Sequence, residues 1–130
     1  MFGGNSNCRG PIWMPLNYMI IQSLRKYYSF YGDTYQYEFP TGSGKKLNLK
    51  EIANELTKRL VKLFEVNSEG KFQYHADDVN HMFSKDEHFK NHHLFYEFFD
   101  GDNGKGLGAS HQTGWTALIA NLIMDMNANE

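Results

Sequence analysis

Glu97 lies inside Leu94-Phe-Tyr-Glu-Phe-Phe99, a carboxylate whose neighbours along the chain are almost all apolar. A carboxyl group in such surroundings loses solvation when charged, which suits it to general acid–base work. The plainer reading of the same pattern is an edge position with the side chain turned to water, and spacing alone leaves both open. Arg9 and Trp13 flank Gly10-Pro11-Ile12, a rigid turn leading into an apolar-periodic segment. Arginine presents a planar fork of donors, and tryptophan a flat apolar face that fits the C–H side of a sugar ring. The plainer reading here is a turn at a helix start with a core tryptophan.

Other chemistry-bearing residues fit known patterns poorly. His88 and His92 are four apart, as are His93 and Glu97, so either pair could share a helical face and ligate zinc; the chain has no His-Glu-x-x-His arrangement and no third ligand at a fixed spacing. Cys8 beside Arg9 could be a thiol of lowered pKa, but no ordered Cys–His–Asn pattern accompanies it. Gly42-Ser-Gly-Lys-Lys resembles the end of a phosphate-binding loop, which would need Gly where Phe39 stands and Ser or Thr where Lys46 stands. Asp100-Gly-Asp-Asn-Gly104 resembles the start of a calcium loop, yet its sixth position is Lys105 rather than Gly and its twelfth is His111 rather than Glu.

The elements that must position these residues are mostly helical. Leu16, Met19, Ile20, Leu24, Tyr27 and Tyr28 recur at three- and four-residue steps, and Pro15 suits a first turn, predicting a helix from Met14 to about Tyr31. Asn48 and Glu51 form a capping box for a helix from Leu49 to Phe64, with Ile52, Leu56, Leu60 and Leu63 as its apolar stripe. A short strand is expected at Phe72 to His75, and a short helix near residues 85–91 behind a Ser84–Glu87 capping box. Leu94 to Phe99 is too short for periodicity to tell strand from helix. Thr113 is placed as the cap of a last helix reaching Met126, with Trp115, Leu118, Ile119, Leu122 and Ile123 on its apolar side. Glycine-rich loops at residues 3–11 and 100–112 each precede a helix, and loops gathered at one end of a helical scaffold are where a site is built.

Composition narrows the classes. Thirteen basic and fifteen acidic side chains give a net charge of −2, which argues against binding nucleic acid by phosphate neutralisation. One cysteine excludes an internal disulfide framework and a Cys-rich zinc module. No apolar run approaches the ~20 residues of a membrane span, and the N-terminus lacks the basic and apolar regions of a secretory signal. The compartment stays open, with the cytoplasm favoured. The 15% aromatic content fits either a ring-binding site or an ordinary core.

Three blocks carry a family likeness: Gly4-Asn-Ser-Asn-Cys-Arg-Gly-Pro-Ile-Trp13-Met-Pro-Leu-Asn17-Tyr18, then Pro40-Thr-Gly-Ser-Gly44, then the run from Phe95 to Thr116 through Phe-Tyr-Glu97-Phe-Phe and Ser-His111-Gln112-Thr-Gly-Trp115. In that order they resemble glycoside hydrolase family 63-like proteins, which include processing α-glucosidases and mannosylglycerate or glucosylglycerate hydrolases. Similar Arg-Gly-Pro and Gly-Trp-Thr elements occur in trehalases.

The resemblance implies an (α/α)6 toroid of which this chain supplies about the last third: mainly all-α, with long Gly-rich loops and room for a short β-hairpin. It implies inverting hydrolysis of an α-glucosyl or α-mannosyl bond by two carboxylic acids roughly 6.5–9.5 Å apart, with no cofactor and no metal. Glu97 matches the family's general base. Arg9 and Trp13 match residues lining the sugar pocket, with Tyr96, His111, Gln112 and Trp115 as neighbours and Asn17 one helical turn beyond Trp13. An oligosaccharide or small glycoside is the expected ligand, with nucleic acid and membrane excluded. Cys8 stands where the family has Trp, and the family's acidic aspartate lies upstream of the Arg-Gly-Pro segment, where this chain offers no match. The chain is therefore expected to be a domain fragment, silent alone, whose uncovered flanks call for the missing N-terminal part or for self-association. The rivals are a non-catalytic carbohydrate-binding or scaffold remnant, and a small helical metal protein using His88, His92 or His93.

Overall fold

A computed structural model describes residues 10–68, 70–75, 82, 85–90 and 92–128. Arg9, Cys8 and the Ser84 cap lie outside the described residues. Helix α1 (Met14–Tyr31) is followed by a 3-10 turn (Gly32–Thr34), a hairpin of β1 (Gln36–Glu38) and β2 (Lys46–Asn48), and helix α2 (Leu49–Lys62). A second hairpin of β3 (Phe98–Phe99) and β4 (Gly106–Leu107) leads to α3 (Thr113–Thr116) and α4 (Leu118–Asn127). The architecture is mainly helical, as expected.

α1 begins with Pro15 in its first turn and ends at Gly32, whose positive φ of 57° lets its N–H return to the Tyr28 carbonyl. α2 starts on the expected capping box: Asn48 Oδ1 accepts from the Glu51 N–H and Glu51 Oε2 accepts from the Asn48 N–H, both at 2.8 Å. It stops at Lys62 rather than Phe64, because Leu63, Phe64 and Glu65 bond back three residues to Leu60, Val61 and Lys62 and so wind into a tighter turn. Both helices and α4 close on a core of Met14, Ile21, Ala53, Leu60, Leu63, Tyr74, Leu94, Phe99, Ile119 and Leu122.

One polar tie crosses this helical layer. Arg25 on α1 pairs with Asp125 on α4, which also accepts from Gln22 at 2.9 Å. The Arg25 guanidinium reaches Thr57 Oγ1 on α2 at 3.5 Å, and that buried hydroxyl donates to the Ala53 carbonyl at 2.8 Å.

Three sequence expectations change. Phe72 to His75 is not a strand: Phe72 makes one bridge to Val66 around a turn closed by Asn67, and the chain then bends so that Tyr74 enters the core. Of the helix expected near 85–91, Lys85 is helical, but residues 87–90 form hydrogen-bonded turns after Asp86, and residue 91 lies outside the described residues. The last helix is two pieces, meeting at Ala117, and Thr113 is its first residue instead of its cap.

Candidate functional site

The two glycine-rich segments meet. Ile12 and Phe99 exchange both backbone hydrogen bonds, at 2.7 and 3.0 Å, so the residues before α1 pair antiparallel with β3. A Cβ at Gly101 would stand 2.4 Å from the Gly10 carbonyl oxygen, an approach that only glycine permits. Phe95 pairs in parallel with His111, and its carbonyl takes the Gln112 N–H at 2.7 Å. The Thr116 hydroxyl donates to the Tyr96 carbonyl. Chain segments distant in sequence are thus stitched around residues 95–99.

Trp13 is the centre of an aromatic ledge at this junction. Its ring stacks on Phe98 with centroids 4.7 Å apart and meets Trp115 edge-on at 5.8 Å. Trp13 itself is 9% exposed, whereas Trp115 is 38% exposed and offers the ledge a free face. Glu97 is half-buried beside this ledge. Its Oε2 accepts the Ala109 N–H at 3.2 Å, and its own N–H bonds the Ala109 carbonyl at 2.9 Å. A Cβ at Gly108 would lie 2.5 Å from Glu97 Oε2 and 2.9 Å from Phe98 Cε1, so carboxylate and ring edge converge on one point of bare backbone. Gly108 holds φ of 73°, which also favours glycine.

The remaining candidates divide. His111 and Gln112 are exposed and held at the same junction by their backbones. The Tyr96 ring lies against Gly106, where a Cβ would clash at 2.2 Å, and is 6.0 Å from Tyr74; burial raises its hydroxyl pKa. It is therefore wall more than ledge. The Asn17 amide donates to the Trp13 carbonyl at 2.8 Å, fixing the backbone that carries the tryptophan. Arg9 lies outside the described residues. Sequence reasoning did not single out Phe98, Gly108 or Thr116; glycines at 106 and 108, two apart and facing an aromatic run, were the available signal.

The acidic stretch from Asp100 serves the hairpin turn. Asp100 Oδ1 accepts the Asp102 and Asn103 N–H groups at 2.8 and 3.3 Å, and Asn103 Oδ1 accepts from Lys105 at 2.8 Å. Among the described residues, no three His, Cys, Asp or Glu side chains are grouped to hold a metal ion. His93 instead meets the Tyr74 hydroxyl at 3.4 Å and packs edge-on against Phe72. Burial pushes the Tyr74 hydroxyl up to about 12, and burial followed by nearby His93 lowers the imidazole of His75. No helix among the described residues is long and apolar enough to cross a membrane.

No protein-family model and no solved structure matches the chain. An uncharacterized protein of Saccharomyces cerevisiae is 48% identical over 126 residues, which is 97% of this chain and 12% of that protein. The mannosyl-oligosaccharide glucosidase of the same yeast is 28% identical over 94% of this chain, and Alpha-glucosidase 2 of Arabidopsis thaliana 28% identical over 89%. The chain spans only 10–12% of the length of these relatives. The more distant of them are glucosidases.

Proposed function

We propose that the chain is the counterpart of one segment of an (α/α)6 glycoside hydrolase, the C-terminal part that carries the base side of the catalytic centre. The observation that carries this reading is the junction of Ile12–Trp13 with Phe98–Phe99 beside Glu97, in a chain similar to glucosidases along most of its length. Parts of the first and last of the blocks that carry the family likeness meet at this junction.

In this reading the exposed Trp115, backed by buried Trp13 and its stack on Phe98, takes the apolar face of a glucosyl or mannosyl ring. Glu97 is the general base, its direction fixed by the Ala109 N–H on Oε2, and Oε1 takes the proton from the attacking water. His111 and Gln112, exposed at the rim, orient sugar hydroxyls, and Arg9 supplies a forked donor. The acid that protonates the glycosidic oxygen comes from outside these residues, so the chain alone binds without turnover.

Titrating 15N-labelled chain with maltotriose tests the ledge. The indole N–H signals of Trp13 and Trp115 shift together at millimolar sugar, and Trp115→Ala weakens binding at least tenfold. Indole signals that stay fixed overturn the ledge. The base is tested by exchanging the matching segment of the yeast mannosyl-oligosaccharide glucosidase for this chain: an active chimera loses hydrolysis on Glu97→Gln, and full activity of that variant refutes the assignment. Binding by the chain, together with a folded but inactive chimera, favours the non-catalytic carbohydrate-binding reading.

A further inference from the structure

The side of α1 turned away from the core carries large apolar side chains from end to end, with Ser23, Lys26 and Ser29 exposed among them. Leu16, Met19, Ile20, Tyr27, Phe30 and Tyr31 are all large and exposed, Phe30 at 81%, and Tyr35 and Tyr37 extend the surface past the helix end. Taking roughly 150–250 Å2 per large side chain, these residues leave roughly 650–1,100 Å2 uncovered. The largest apolar patch on an ordinary monomer is about 300–600 Å2, and a standard interface covers about 800 Å2 per partner. The area matches an interface and exceeds what solvent exposure alone explains.

The spacing says what shape covers it. Leu16, Ile20, Ser23, Tyr27 and Phe30 follow one another at steps of four, three, four and three, the seam of two packed helices. Buried Met14 and Ile21 occupy the opposite side. Ser23, the small member at the centre of the seam, lies in a shallow groove lined by Tyr18, Met19, Gln22 and Lys26. We propose that this face is the docking surface for the α1 of a second copy of this chain, packed antiparallel about a two-fold axis at Ser23.

Self-pairing fits the surface in detail. About that axis Leu16 of one copy meets Phe30 of the other, Met19 meets Tyr27, and Ile20 meets the aliphatic stem of Lys26, while Ser23 gives the backbones room. α1 has no acidic residue, and its two cations are Arg25, engaged by Asp125, and Lys26. A parallel pair would set two Lys26 side chains abreast; the antiparallel pair separates them and opposes the helix dipoles. The argument uses neither Glu97 nor the sugar ledge, and stands whether or not the chain belongs to a hydrolase.

Sedimentation velocity of the full chain between 1 and 200 μM tests the proposal. The expected species is a dimer, twice the 15.1 kDa chain mass. Leu16→Glu combined with Tyr27→Glu raises the dissociation constant at least 100-fold with helical circular dichroism unchanged, whereas Lys58→Glu on the exposed side of α2 has no effect. Ser23→Cys in a Cys8→Ser background gives a disulfide-linked dimer on mild oxidation, which reads the axis directly and does not depend on the glutamate variants folding. A chain monomeric at 200 μM overturns the proposal, as does a dimer indifferent to the seam variants or a Ser23→Cys chain that does not cross-link.

Discussion

At the scale of single residues, the junction is held by atoms that are absent as much as by those present. Gly101 leaves the Gly10 carbonyl room, and a methyl group there must push two backbone segments apart. Gly101→Ala is expected to cost about 1–3 kcal/mol, the usual range for overpacking, and to broaden the Trp13 indole signal, as read by urea melts and NMR. Thr116→Val keeps the volume but takes the donor from the Tyr96 carbonyl inside the structure. A loss of about 1–3 kcal/mol is expected for an unsatisfied buried acceptor. If Thr116→Val melts as the wild type, that bond is not holding α3 to residues 95–99. These contacts explain why the site was half legible in the sequence. Trp13 and Glu97 stand out by type, but Phe98 becomes part of the ledge only through a partner 85 positions away, and no local pattern announces that pairing.

At the scale of elements, what could be read was what is locally determined. α1 and the capped start of α2 were legible because periodicity and the Asn48–Glu51 box are written within a few residues of each other. The box should be energetically visible: Asn48→Ala is expected to destabilise the fold by about 1 kcal/mol in a denaturant titration, while Lys58→Ala on the same helix is near neutral. The errors fall where tertiary contacts override local preference. Phe72–His75 has strand-forming residues, but Tyr74 is drawn into the core against Phe64 and Phe99, and the backbone turns to deliver it. The helix through residues 113–127 has an unbroken apolar pattern, yet the Thr116 side chain is spent on Tyr96 and the winding is interrupted at Ala117. Asp100-Gly-Asp-Asn-Gly104 has the composition of an ion site and uses its carboxylate to close its own turn.

At the scale of the whole molecule, burial of His75 makes folding sensitive to acid. Its imidazole is held neutral in the fold by burial and by nearby His93, below the ordinary value of about 6.5 that applies to the unfolded chain. The unfolded state therefore binds more protons in the window between the two values, and stability rises with pH through that window. Melting temperatures are expected to fall as pH is lowered from 7 toward 5 and to be flatter for His75→Phe. An unchanged slope in that variant assigns the acid sensitivity to other groups.

The Ile12–Phe99 pairing also has a consequence in time. Its two residues are 87 positions apart, so the bridge must close a loop whose entropic cost grows with the logarithm of its length. α2 and its capping box can form from neighbours alone, whereas the ledge cannot exist until nearly the whole chain has been laid down and brought back on itself. The candidate site therefore shares with the Arg25–Asp125 tie, whose partners are 100 positions apart, a dependence on both ends of the chain being in place, and its geometry records whether they have met.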